Sequence, residues 1–583
     1  MGRRLTPLLV LCASLLAATA LPATPGAADA ASTRARARPT PLDRVIPAPA
    51  SVQERGRPYT ITPRTVIRVQ PGAGSDRAPG RRGNRQQRGG PAGGTSGTAG
   101  EARSGREVRE ARSGREVREV REVREVREVA EQLAALLRPA TGYRLPITSR
   151  PGRDGIKLRL GGGRTLGGEG YRLQVGARAA RLTARDAAGL FHGVQTIRQL
   201  FPAAVEARTE QPGPWQLAGG VITDTPRYAY RGAMLDVSRH FFPVPAVKRY
   251  IDQLALYKIN TLHLHLSDDQ GWRLAIDSWP RLAEYGGGTE VGGGPGGYYT
   301  KADYREIMRY AAARHLTVVP EIDMPGHTNA ALASYAELNC DGTAPPRYTG
   351  TEVGFSSLCV SLERTYDFVD DVLRELAALT PGPYLHIGGD EAHSTSHEDY
   401  VAFMRRVQPL VAAYGKQAVG WHQITAAPAP GTVAQYWGYD RTGAEERRQV
   451  AEAARQGTEL VLSPADRAYL DMKYDKNTPL GLSWAGYVPV QRSYDWDPAR
   501  YLEGVPEEAV LGVEAPLWSE TIETSAQLEY LAFPRLPGLA ELGWSPAATH
   551  DWDGYRQRLA RQGSRWERMG VNYYRSPQVP WPH

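Results

Sequence analysis

From Tyr230 onward, short apolar runs with strand character alternate with helical patterns. Eight such runs can be counted, at 230–236, 261–266, 317–323, 384–390, 418–424, 432–437, 459–464 and 510–518. Strands that alternate with helices pair in parallel, because a parallel pair needs a crossover long enough to hold a helix. Eight of them in about 350 residues predict an α/β fold, a closed (β/α)8 TIM barrel with insertions, over residues 225–583. Barrels of this kind keep their chemistry at the C-terminal ends of their strands, so those ends are where functional residues belong.

The richest end is the fourth. Tyr384-Leu385-His386-Ile387 runs into Gly388 and Gly389, then Asp390, Glu391, Ala392 and His393. Neighbouring side chains on a strand point to opposite faces, so Asp390 and Glu391 converge only where the backbone turns. Two glycines permit that turn and a close approach of the backbone. Adjacent acids disfavour each other's ionisation, and one of them is expected to hold its proton near neutral pH, as a general acid must. An isolated Asp-Glu pair is more often a solvated turn; the run before it and the other strand ends reverse that reading.

The first strand opens with Arg231 and ends at Asp236, and the second carries His263, His265, Asp268 and Asp269. The third ends in Glu321, Asp323 and His327. Later ends supply Trp421, Trp437 and Trp518 with Glu520, and Tyr469 and Asp471 follow the seventh. Aromatic faces beside carboxylates and an Arg describe a sugar pocket. One Trp is usually core packing, but three at three strand ends are harder to assign that way. His263 and His265 share a strand face and serve equally as barrel filling. Arg231 has an alternative as a buried ion-pair partner.

Residues 1–30 read as a secretory signal: Arg3 and Arg4, an apolar run from Leu5 to Ala20, then small residues. A linker spans 31–44, and strand and helix patterns from 45 to 224 suggest a small non-catalytic α+β domain with a helix over 186–200. Residues 71–128 interrupt it with Gly- and Arg-rich sequence and then repeated Arg-Glu-Val triplets. A three-residue step drifts by about 60° per repeat on a helix, so the triplets build no lasting apolar face. They are expected to extend, as a solvated arm, the helix that continues through Leu137. The net charge of +8 lies in residues 1–45 (+4) and 71–128 (+5), which leaves the body at −1. A nucleic-acid footprint is therefore not supported. With Cys12 in the signal, Cys340 and Cys359 remain and are expected to pair outside the cell.

Taken together, Arg231 to His240, His263 to Asp269, Glu321 to His327, His386 to Glu391, and Trp518-Ser519-Glu520 resemble family 20 glycoside hydrolases, the β-N-acetylhexosaminidases. The resemblance spans the whole barrel, and the first domain is similar to the one that precedes such barrels. It implies substrate-assisted retaining hydrolysis, a departure from the two-carboxylate scheme. It makes Glu391 the general acid and base, Asp390 the residue that orients the acetamido N–H, and Tyr469 a donor to the acetamido oxygen. Trp421, Trp437 and Trp518 would wall the sugar, and Arg231, Asp471 and Glu520 would bind its hydroxyls. Asp268 and His327 would relay to Glu391, and Trp484 would line the aglycone side. No cofactor and no metal are implied, and the partners expected are amino-sugar oligosaccharides such as chitin fragments or glycan termini. Two rivals are a metal-dependent barrel hydrolase using His263 and His265 and an amino-sugar-binding protein without catalysis.

Overall fold

The structure, a computed structural model, describes residues 39–70 and 99–582, with side chains in the helix Ala99–Thr141 from Val120 onward. The secretory signal, most of the linker and the Gly- and Arg-rich part of the insertion lie outside the described residues.

The eight parallel strands close as expected. They are β1 (Tyr230–Asp236), β2 (Thr261–His265), β3 (Thr317–Glu321), β4 (Tyr384–His386), β5 (Gln417–Trp421), β6 (Val433–Tyr436), β7 (Glu459–Leu462) and β8 (Val510–Ala515). Tyr230 sits opposite Gly512, where β8 meets β1 and seals the barrel. Most strands end earlier than their apolar runs. β4 stops at His386 because Gly388 and Gly389 take φ of 66° and 102° and turn the chain out of the sheet. After β5 the chain coils at once into the turn His422–Ala426.

Alternation decides what each strand residue faces. On β1, Ala233 and Leu235 join the large core shared with the helices, whereas Tyr230 packs inside the barrel with Val319, Val419, Val433 and Val461. Met234, four residues further along the same face, belongs to a third cluster with Trp421, Tyr469, Met472 and Trp518. The barrel is thus filled from below by valines and topped by aromatic rings at the strand C-termini.

Before the barrel, seven strands form a mixed sheet in the order Ser51–Glu54, Gly220–Asp224, Tyr171–Gly176, Ala179–Ala184, Gly155–Leu160, Ile67–Gln70 and Ile147–Thr148. The helices Ala99–Thr141 and Ala187–Leu200 cover it. The long helix buries Val126, Val129, Ala130, Leu133, Ala134, Leu137 and Ala140, a stripe at steps of one and three. Along the described part of the triplet repeat Val120 is exposed, Val123 is half-buried and Val126 already enters the core, so the repeat does not stay a solvated arm to its end. Arg121 and Arg124 pair with Glu125 and Glu128 along the exposed side.

Candidate active site

The backbone around the acid pair is fixed by close contacts. A Cβ at Gly388 would run into Asp323, and Gly389 N–H donates to Asp323 Oδ1 at 3.0 Å. Tyr400 donates to the Gly389 carbonyl at 2.8 Å, and Trp421 N–H donates to the Gly388 carbonyl at 2.9 Å. Glu391 itself takes a φ of 45°, and His327 a φ of 55°. Both are left-handed, a conformation costly for residues with a Cβ, and such strain concentrates at functional sites.

These two strained residues meet. His327 Nε2 lies 3.4 Å from Glu391 Oε2 and 3.8 Å from Asp390 Oδ2. Its Nδ1 faces Asp268 Oδ1 at 3.3 Å. Asp268 Oδ2 accepts in turn from His265 Nε2 at 2.8 Å and from Arg239 Nη2 at 2.7 Å. The expected relay of Asp268 and His327 is therefore in contact with Glu391.

The proton distribution differs from the expectation that the general acid of the pair carries the raised pKa. Burial pushes Asp390 up to about 6, against the pull of the His327 charge. Burial would raise Glu391 too, but the hydrogen bond and charge of His327 outweigh it and lower that carboxyl. His327 is pushed well above its usual value, because Asp268 and Asp390 outweigh the burial that would lower it. The proton next to Glu391 accordingly rests on the imidazole.

The other walls come from the late strands. Trp421 and Trp518 lie with ring centroids 5.7 Å apart, and Tyr469 stands 6.3 Å from Trp518. Trp484, 41% exposed, packs edge-on to Tyr469 at 5.9 Å and to Trp437 at 6.0 Å, and so marks the mouth. Asp471 Oδ1 accepts from Trp518 N–H at 3.5 Å. Burial and the nearby Glu520 carboxyl push Asp471 well up. Asp390 Oδ1, Asp471 Oδ2, Glu520 Oε2 and Trp518 Nε1 are buried atoms with no protein hydrogen-bond partner among the described residues. Buried polar groups are rarely left so, and four in one cluster describe a polar ligand's footprint.

Arg231 does not belong to this cluster. It is the second residue of β1, far from the strand's C-terminal end, and alternation turns it outward. There it is fully buried, donating to Glu169 Oε1 at 2.5 Å and to the Lys258 carbonyl at 3.0 Å, with Trp544 stacked 4.9 Å away. It ties the barrel to the preceding sheet. The pocket's cation is Arg239, three residues past β1, held by Asp268 and lying 4.7 Å over the Trp518 ring. Asp236, at the end of β1, accepts from Arg239 N–H at 3.1 Å and Ser519 N–H at 3.0 Å, and so sets Arg239 beside Trp518 and Glu520. Position beyond a strand end was the available signal for Arg239.

His263 and His265 are barrel filling of a particular kind: every ring nitrogen faces a carboxylate. His263 meets Glu514 at 2.8 Å and Glu321 at 3.0 Å, and His265 meets Glu321 at 2.5 Å and Asp268 at 2.8 Å. Rings engaged as donors on both sides offer no lone pair to a metal ion, which weighs against the metal-dependent reading. Burial alone would lower His263, but its two carboxylates outweigh that and push its pKa up to about 9. This pairing stabilises the fold fully below pH 6.5, the ring's unfolded value, and the contribution is lost as pH rises through 9. Wild-type stability is therefore expected to fall relative to His263→Gln by about 3 kcal/mol between pH 6 and 10. Calorimetric melts of both proteins across that range check this, and parallel curves would contradict it.

Cys340 and Cys359 are bonded, as expected. The bond closes a loop whose Ser356 donates to Asp269 Oδ1 at 2.5 Å and accepts from Thr328 N–H at 2.9 Å, next to His327.

Comparison with known proteins matches this architecture. The family description "Glycosyl hydrolase family 20, catalytic domain" fits residues 228–547, and "Glycosyl hydrolase family 20, domain 2" fits 110–225. The chain belongs to glycosyl hydrolase family 20. A β-N-acetylhexosaminidase of Cellulomonas fimi is 44% identical over 73% of this chain and 84% of its own length. The solved family 20 β-N-acetylhexosaminidase of Streptomyces coelicolor A3(2) is 66% identical, covers 94% of this chain and 100% of its own, and superposes with a TM-score of 0.83. A mutant Streptomyces plicatus β-hexosaminidase in complex with product (GlcNAc) is 65% identical with the same coverage and TM-score. The family 20 match covers both the barrel and part of the sheet that Arg231 joins to it.

Proposed function

We propose that this chain is an exo-acting β-N-acetylhexosaminidase that releases terminal β-linked N-acetylglucosamine or N-acetylgalactosamine by substrate-assisted, retaining hydrolysis. The observation that carries the reading is Asp390 Oδ1, a buried acceptor without a protein partner among the described residues, next in the chain to the Glu391 that His327 contacts. Two catalytic carboxylates working as nucleophile and acid come from opposite sides of the sugar, about 5–5.5 Å apart. Consecutive residues at one strand end approach from the same side, so the nucleophile comes from the substrate.

In this reaction the acetamido oxygen attacks the anomeric carbon as the glycosidic C–O bond breaks. Asp390 accepts the amide N–H and balances the positive charge that develops on the ring. Glu391 draws a proton from the His327 imidazolium, gives it to the leaving oxygen and is left a carboxylate beside a neutral ring. Water then opens the oxazolinium while Glu391 takes its proton, and the product keeps the β configuration. Trp421, Tyr469 and Trp518 enclose the acetamido group, Arg239, Asp471 and Glu520 hold the sugar hydroxyls, and Trp484 offers a face to the leaving sugar. The GlcNAc in the Streptomyces plicatus relative supports the choice of sugar.

Side-by-side assays on aryl GlcNAc, aryl GalNAc and aryl glucoside test the reading. Turnover of one or both amino sugars, unaffected by a chelator, is expected, with the glucoside at least roughly a thousandfold slower. Comparable glucoside turnover would end it. We further infer export of the mature protein, from the signal-like first thirty residues and from a disulfide suited to an oxidising compartment; an unprocessed N-terminus on cell-associated protein would contradict this.

A further inference from the structure

Glu321, the last residue of β3, is fully buried at the centre of the barrel. Its Oε2 accepts from His265 Nδ1 at 2.5 Å and from His263 Nε2 at 3.0 Å. From there a line continues through His265 to Asp268, then His327, then Glu391, at 2.8, 3.3 and 3.4 Å. In the opposite direction His263 reaches Glu514, which also accepts from Gln435 at 2.7 Å and Tyr230 at 2.6 Å. Carboxylates and imidazoles alternate along the whole line. The other oxygen, Oε1, accepts from the Trp421 indole N–H at 2.9 Å, with His386 Nδ1 at 3.0 Å.

We propose that Glu321, which touches no substrate, is the positioning residue that couples the proton donor to the acetamido wall: one oxygen anchors the line to Glu391 and the other sets the Trp421 ring. The inference rests on the roles given above to Glu391 and Trp421. A buried carboxylate with donors on both oxygens has no isosteric substitute. A glutamine amide places N–H groups where one of the two arms needs an acceptor, so at least one arm opens.

The sign of the effect on the acid follows from charge. Glu321 faces His263, His265, His386 and Trp421. His327 faces Asp268, Asp269, Asp323, Asp390 and Glu391, with Arg239 on Asp268. Without Glu321, His265 keeps Asp268 but loses one of the two carboxylates on its ring, and its hold on a proton weakens. Along the line His265 stands one contact closer to His327 than Glu321 does, so the positive charge that weakens is the nearer one and the affinity of His327 and Glu391 for a proton rises.

The test is the pH dependence of kcat and KM on aryl GlcNAc. Glu321→Gln is expected to lower kcat roughly tenfold or more, raise KM several-fold and move the alkaline limb up by about half a unit or more. His265→Gln moves the limb and raises KM less than Glu321→Gln does, because Trp421 keeps its acceptor. Trp421→Phe raises KM and leaves the limb in place, and adding Glu321→Gln to it raises KM no further. A limb unmoved in His265→Gln, or KM effects that simply add in the double variant, would overturn the proposal. His265→Gln alone decides the acid arm if Glu321→Gln gives no cooperative melt. Wild-type turnover by Glu391→Gln would instead overturn the functional reading on which this rests.

Discussion

Glu391→Gln is expected to lower kcat/KM by roughly 10²–10⁴-fold on a chitooligosaccharide, whose leaving alkoxide cannot depart without a proton. The loss shrinks on aryl GlcNAc with an acidic phenol, because that oxygen leaves as a stable anion. The ranking of leaving groups is the signature: wild type varies little with phenol acidity, and the variant varies steeply. A merely structural role for Glu391 would depress every substrate alike. The geometry also says where the proton waits. His327, 3.4 Å from Glu391 and held cationic between Asp268 and Asp390, supplies through the carboxyl the proton that the leaving oxygen takes. His327→Asn should therefore resemble Glu391→Gln in its leaving-group dependence.

Asp390→Asn is expected to cost roughly 10²-fold or more in kcat on every 2-acetamido substrate, whatever the leaving group. The lost charge is the one that balances the oxazolinium, and the amide can present an N–H to the acetamido N–H where an acceptor is needed. This insensitivity to the leaving group separates Asp390 from Glu391, although the two are neighbours in the chain. A Brønsted plot for each variant checks it: a slope for Asp390→Asn as steep as that for Glu391→Gln would show that both serve the same proton.

Much of this was legible in the residues themselves. Strand–helix alternation carried the barrel, and the two glycines announced the turn that brings Asp390 and Glu391 together. The misassignment of Arg231 shows where legibility stopped. Membership of β1 was readable, but the direction a side chain faces depends on which neighbours point inward, and Tyr230 takes the barrel interior. Arg239 was overlooked because its anchors, Asp236, Asp268 and Trp518, come from three different strand ends. Glu321 is another such residue: it looks like one more acid in a run, and only closure of the barrel surrounds it with His263, His265, His386 and Trp421. Short strands such as Ser51–Glu54 and Trp215–Leu217 are stabilised by pairing with distant segments, and four or three residues carry too little pattern to stand out. The proton's location on His327 rather than Glu391 depends on burial and on Asp268, Asp390 and Glu391, among other acids, meeting one ring, which no local run of sequence encodes.

The nucleophile is the point on which everything else turns, and it can be tested by weakening it. Aryl glycosides carrying acetamido, fluoroacetamido, difluoroacetamido and trifluoroacetamido groups at carbon two differ little in size but greatly in the electron density of the amide oxygen. If that oxygen attacks the anomeric carbon, log kcat/KM should fall steeply and linearly as fluorines are added. A flat series would mean that a group of the protein, not of the substrate, forms the bond.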